Sequence, residues 1–259
     1  MSGMMQALTS SIVSLPRPIL SLDANDTSSY PGTGTTVTDL SGNGYTHSLS
    51  SSGIYTVLNG VKCFDCTTTG QVTVSVTGPT IPSTGFTYVG WARLISSTAA
   101  YRTLLRSTPY DHAITIPNAS STLGMFDNDG AGAFVSASYD TTNLYTTWVQ
   151  WAITGTNTAQ TFYINGQQVG TTAAGVGGNV HNSWGNWQNN QPFGYVANLS
   201  LYNTILTQPQ LQQLFTSTRS RFGLAIYTSV ATTTWVAPPG VGSVNYLSLI
   251  HISEPTRPE

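Results

Sequence analysis

Trp148-Val-Gln-Trp-Ala-Ile-Thr154 is followed by Ala159-Gln-Thr-Phe-Tyr-Ile164, Asn165-Gly166 and Gln167-Gln-Val169. Short runs rich in β-branched and aromatic residues flank an Asn-Gly pair. Both residues of that pair tolerate the positive φ of a type I′ turn, so Asn-Gly between such runs signals an antiparallel hairpin. Trp148 and Trp151 are three apart, and in a regular strand they face opposite sides of the sheet.

The same reading extends outward. Strands are expected at Ile19–Asp23, Ile54–Leu58, Val61–Asp65, Val72–Val76, Phe86–Ile95, Arg102–Arg106, Ala113–Ile116, Thr122–Phe126 and Phe134–Ser138. Two more are expected at Gly194–Tyr202 and Leu224–Tyr227. Ser41-Gly-Asn-Gly44 and Asp127-Asn-Asp-Gly130 supply tight turns. Many short strands with turns between them make an antiparallel β-sandwich. One short helix is expected near residues 208–216. Thr207 and Gln210 have capping-box spacing, Pro209 falls in the first turn, and Leu211, Leu214 and Phe215 share one face. Its expected place is at one end of the sandwich.

Composition narrows the function classes. Charged residues make up 7% of the chain, against roughly 25% in ordinary globular proteins. The formal net charge is −2, and no basic patch offers phosphate neutralisation, so nucleic acid is not an expected partner. No apolar run reaches the length of a membrane-spanning helix, so no membrane insertion is expected. The N-terminal stretch, with Arg17 and two prolines, lacks a secretory signal pattern. Cys63 and Cys66 lie on an expected strand, facing opposite sides, without the further ligands a zinc site needs. The low-charge, Ser/Thr/Gly-rich composition suits a virion or extracellular surface.

Several motifs in order resemble the laminin-G-like, concanavalin A-like jelly-roll domains. They are Ile19-Leu-Ser-Leu-Asp-Ala24 with Thr38-Asp-Leu-Ser-Gly-Asn-Gly44; Gly85-Phe-Thr-Tyr-Val-Gly-Trp91; the hairpin quoted above; and Gly194 to Thr207. The resemblance implies an all-β antiparallel jelly-roll β-sandwich (concanavalin A-like) over residues 19–222, preceded by an arm, 1–18. It is compatible with lectins, hydrolases and structural modules. Thr234-Trp-Val-Ala-Pro-Pro-Gly-Val-Gly242 is similar to the first hairpin of a glycine-rich domain of viral tail and surface proteins, so 223–246 reads as a linker and the start of a truncated domain. Leu247-Ser-Leu-Ile-His-Ile-Ser-Glu-Pro-Thr-Arg257 resembles translated sequencing-library adapter, as in an open reading frame from assembled environmental DNA, and 247–259 is set aside.

Without that tail the chain has eight aspartates and no glutamate. Hydrolases of this fold carry alternating acids on one strand, and no such strand occurs here, so catalysis is not expected. His47, His112 and His181 are scattered, and each is expected as a polar loop or rim residue. Sugars need aromatic faces beside amide and hydroxyl groups. Trp187, Asn186, Gln188 and Asn189 offer these, as do Tyr110 and His112, while Trp184 is expected in the core. Ca²⁺ takes six to eight oxygens. Asp127, Asn128 and Asp129, or Asp23, Asp26 and Asp39, are the candidate donors, and some laminin-G-like relatives bind calcium at loop carboxylates. The reading is a non-catalytic carbohydrate-binding or adhesion module whose partner is a glycan or another surface protein. A structural assembly module of a viral fibre or capsid is the alternative.

Overall fold

The computed structural model describes residues 13–96, 100–109, 111–128 and 132–224. Tyr110, Asp129, the expected strand Leu224–Tyr227 beyond its first residue, the glycine-rich segment and the adapter-like tail lie outside them. Two antiparallel sheets stack face to face. The first runs β14 (Gln167–Thr172), β13 (Gln160–Ile164), β12 (Trp148–Gly155), β7 (Phe86–Leu94), β16 (Gly194–Tyr202), β5 (Val61–Cys66) and β4 (Tyr55–Leu58). β1 (Leu20–Asp23) joins it on β16. Long β16 pairs with β7 along one edge, and with β1 and β5 in succession along the other. The second sheet runs β11 (Ala133–Asp140), β10 (Thr122–Asp127), β9 (His112–Ile116), β8 (Arg102–Thr108), β15 (Val180–Trp184), β6 (Val72–Val74), β3 (Thr46–Leu49) and β2 (Thr36–Thr38).

The deciding stretch folds as its sequence requires. Asn165 and Gly166 take φ 52° and 74° and join β13 to β14. The turn is pinned to β12, where Asn165 Oδ1 accepts from Gln150 N at 2.9 Å. A side chain at Gly166 would place Cβ 2.8 Å from Gln212 Cα. Along β7, Phe86, Tyr88, Ala92 and Leu94 point between the sheets. Val89 and Trp91 point outward. Trp151 faces inward and Trp148 outward, as a spacing of three demands. Cys66 and Cys63 divide in the same way, and both are free, buried thiols.

The outer face of the first sheet is itself apolar, and this moves the helix from its expected place. Helix α1 (Gln208–Thr218) has the full capping box between Thr207 and Gln210. It does not close an end of the sandwich. Leu211 and Leu214 pack on Val89, Ala152, Tyr163 and Tyr202 of the outer face. Trp91 stacks on Phe222 at 4.0 Å and on Phe215 at 5.8 Å, and its indole N–H donates to Thr218 Oγ1. Burial of each such ring stabilises the fold by roughly 1.5–3 kcal/mol. With this face covered, the second sheet is the one whose outward side carries polar and aromatic groups on view. Among the described residues no helix is long and apolar enough to cross a membrane.

Candidate functional site

β8 and β9 place Arg106 opposite His112 and Thr103 opposite Thr115. From here a row of four rings crosses the outward side of the second sheet. Tyr101 lies edge-on to Phe126 at 5.8 Å, Phe126 to His112 at 6.2 Å, and His112 to Trp187 at 6.4 Å. Such T-shaped contacts set the positive edge of one ring against the negative face of the next. Tyr101, His112, Phe126, Asn128 and Gln191 line a hollow of about 200 Å³.

A hydroxyl network forms beside this row. Thr103 Oγ1 lies 2.7 Å from Gln191 Oε1, 3.0 Å from Thr115 Oγ1 and 3.1 Å from His112 Nδ1. An amide oxygen only accepts, so Thr103 spends its one hydrogen on Gln191, and His112 Nδ1–H donates to Thr103. His112 Nε2 is then an acceptor. Burial, reinforced by the Arg106 charge, holds the His112 pKa down to about 3, so the ring is neutral. Arg106 stacks on Trp187 with its guanidinium carbon 4.4 Å from the ring centroid. The same guanidinium donates to the carbonyls of Ser107, Asp111 and Pro109. The arrangement therefore offers ring surfaces, amides and a neutral imidazole, a set suited to a ligand that combines C–H surface with hydroxyls.

The structure brings Trp187, His112 and Asn128 into this one region. Tyr101, Phe126, Thr103 and Gln191 complete it; Gln191 ends the polar-aromatic stretch 181–191, and sequence reading missed the other three. Tyr101 and Phe126 are distant in sequence from the Trp187 loop, and only the order β10-β9-β8-β15 joins them. Asn186 is corrected. Its side chain is 1% exposed, donates to Thr68 O, and accepts from the backbone N–H of Trp187 and Gln191. An amide so spent positions the loop and cannot hold a ligand. Gln188 and Asn189 are exposed at φ 50° and 58° in the turn closed by Asn190 N to Trp187 O. Asn189 borders a different depression, with Ser50 and Asp65. Tyr110 lies outside the described residues.

The histidines are also corrected. His47, His112 and His181 lie on strands and are buried, not on loops or rims. His47 and His181 stack at 5.4 Å inside the sandwich, with Tyr88 5.6 Å from His181.

The described calcium candidates line different depressions or hold partners of their own. Asp127 lines one cleft, with Asp111, Asn157, Thr158 and Asn179, while Asn128 lines the aromatic hollow. Asp129 lies outside the described residues. Asp23 is paired with Arg221 at 2.6 Å. Asp39 accepts from Ser21 N, Ser41 N and Ser41 Oγ. Among the described residues no three His, Cys, Asp or Glu side chains converge as a metal would require.

Residues 66–212 match the family described as the Concanavalin A-like lectin/glucanases superfamily. Solved structures agree in fold. The binding domain of Botulinum Neurotoxin DC in complex with SialylT is 18% identical, with a TM-score of 0.56, over 78% of this chain and 51% of that one. The binding domain of Paraclostridial Mosquitocidal Protein 1 is 17% identical, with a TM-score of 0.55, over 78% and 52%. A Trypanosoma rangeli sialidase in complex with 2,3-difluorosialic acid is 12% identical, with a TM-score of 0.54, over 79% and 34%. The chain thus spans a third to a half of the length of these structures. No curated protein sequence matches it.

Proposed function

Since the chain belongs to the concanavalin A-like lectin/glucanase superfamily, we propose that it is a non-catalytic carbohydrate-binding module, part of a larger virion or cell-surface protein. The observation that carries this is the row Tyr101, Phe126, His112 and Trp187 beside the Gln191 and Asn128 amides. A sugar ring presents polarised C–H groups on its faces and hydroxyls on its rim. The negative face of an aromatic ring attracts the first. Amides, which donate and accept, and the His112 Nε2 acceptor satisfy the second. A mostly apolar hollow with a few fixed polar groups is the usual form of a small-ligand site. Among the fold neighbours, a binding domain in complex with SialylT and a sialidase in complex with 2,3-difluorosialic acid support the reading.

Hydrolysis is the weaker reading. It takes two carboxyl groups flanking one glycosidic bond, and the lining of the hollow includes none. Asp111 and Asp127 line the adjoining cleft, where the Asp111 carboxylate is held by Asn179 Nδ2 and Asn128 N. A structural assembly module would present one contiguous apolar patch. The exposed large apolar side chains among the described residues are Val13, Leu40, Val57, Val76 and Ile205, divided among the arm, loops and edge strand β4.

The test is a glycan array probed with the full chain and with Tyr101→Ala and Trp187→Ala. Glycan binding weakened about tenfold or more in either variant, ~1.4 kcal/mol, is expected. Binding to no glycan, or equal binding by all three proteins, refutes the proposal. So does release of reducing sugar from a bound glycan.

A further inference from the structure

The ring row ends against a buried cation. Arg106 of β8 lies opposite His112 of β9 and is 6% exposed. Its guanidinium donates to the carbonyl of Ser107, near the end of β8, and to those of Pro109 and Asp111, in the turn that leads to His112. Its flat face lies over Trp187, with the central carbon 4.4 Å from the ring centroid. Trp187 belongs to a different segment, between β15 and β16. There Asn186 Oδ1 accepts from the backbone N–H of Trp187 and of Gln191. One loop therefore carries both the indole and the Gln191 amide that lines the hollow.

One planar group thus fastens the turn by its edge and the loop by its face. A guanidinium suits this task, because its five N–H donors lie in one plane and leave both faces open to stacking. An ammonium group has three donors and no face. Taking a guanidinium out of water is costly, and acceptors with an aromatic face offset that cost when they are held in place. Neither Arg106 nor Trp187 belongs to the apolar clusters that hold the sheets and the helix together. Their contact therefore organises the site and not the core. The side chains lining the hollow do not include Arg106, so it bears on a ligand through the groups it holds.

We infer that Arg106 is the positioning residue of the carbohydrate site, joining the Trp187 loop to the turn before His112 in the geometry that binds. This rests on the carbohydrate-binding reading above and adds to it a residue that acts through Trp187. A site held in its binding geometry before the ligand arrives loses less on binding to the ordering of its own side chains.

The experiment measures affinity for the tightest-binding glycan of the array described above. The proteins are the full chain, Arg106→Met, Arg106→Lys, Trp187→Ala and the double variant Arg106→Met/Trp187→Ala. Arg106→Met is expected to weaken binding about tenfold. Arg106→Lys, which keeps the charge but not the plane, is expected to weaken it about as much. Residues that act as a unit are not additive, so the double variant is expected to lose no more than Trp187→Ala alone. The indole N–H resonance of Trp187, identified by its absence in Trp187→Ala, is expected to shift in both Arg106 variants before any glycan is added. Full affinity in Arg106→Met or full rescue by Arg106→Lys overturns the positioning role and leaves the binding function standing. So do losses that add in the double variant, or an unmoved indole resonance. Binding of no glycan by the natural chain overturns the binding function, and the role with it. Circular dichroism of each variant identifies any loss caused by misfolding, and Arg106→Lys, which retains a buried cation and its donors, carries the test if Arg106→Met does not fold.

Discussion

His47 and His181 sit ring against ring between the sheets, and none of their four ring nitrogens has a hydrogen-bond partner among the described residues. Burial drives the His47 pKa down to about 4 against an opposing pull from Asp39. Burial, then the neighbouring His47, holds His181 well below its ordinary value. His112 follows the same pattern at about 3. In the unfolded chain each imidazole titrates near 6.5. Below that pH the unfolded chain binds protons that the folded chain refuses. Stability is therefore full above about pH 6.5 and falls as the pH drops toward 4, by about 1.4 kcal/mol per pH unit for each histidine. Urea midpoints measured across this range should show the slope, and His47→Leu should remove one histidine's share of it. A midpoint that does not change between pH 7 and 5 contradicts the assignment. The sequence hid these residues because β3, Thr-His-Ser-Leu, and β15, Val-His-Asn-Ser-Trp, are short polar strands without an apolar run. Only their position between apolar neighbours in the sheet buries them.

Helix α1 shows which properties of an element are local. Its cap, its Pro in the first turn and its Leu211/Leu214/Phe215 stripe are all written in consecutive residues, and all were legible. Its location was not, because that depends on what strands far away in sequence display on their outer face. Trp91 is the link, stacked between Phe215 and Phe222 and bonded to Thr218. Trp91→Ala should cost about 3–5 kcal/mol, as deletion of a large buried ring does. It should also raise hydrogen-exchange rates for the α1 amides above those of β10 and β11 in the other sheet. A loss under about 1 kcal/mol, or uniform exchange, would show that the helix is held by something else. The hairpin around Asn165-Gly166 was the most legible element, since its turn demands two positive φ angles that few residue pairs accept.

At the scale of the whole molecule, the two faces of the sandwich divide the work. The outer face of the first sheet is sealed by α1 and the turn that follows it. The outward side of the second displays the ring row, the amides and an adjoining acidic cleft. The all-β antiparallel class, most of the strands and the single α-helix followed from periodicity and turn chemistry. The site was only half legible. Trp187 and His112 stood out as polar-aromatic residues, whereas Asn128 was read only as a calcium candidate. Tyr101, Phe126 and Gln191 join them through cross-strand pairing that no local pattern encodes. A crystal structure of the chain with an oligosaccharide bound tests the site outright. Its terminal ring is expected in the hollow, against Tyr101 and Phe126, with hydroxyls on Gln191 Nε2 and His112 Nε2. A sugar seated instead in the Asp111/Asp127/Asn179 cleft, or on the first sheet's outer face, contradicts it.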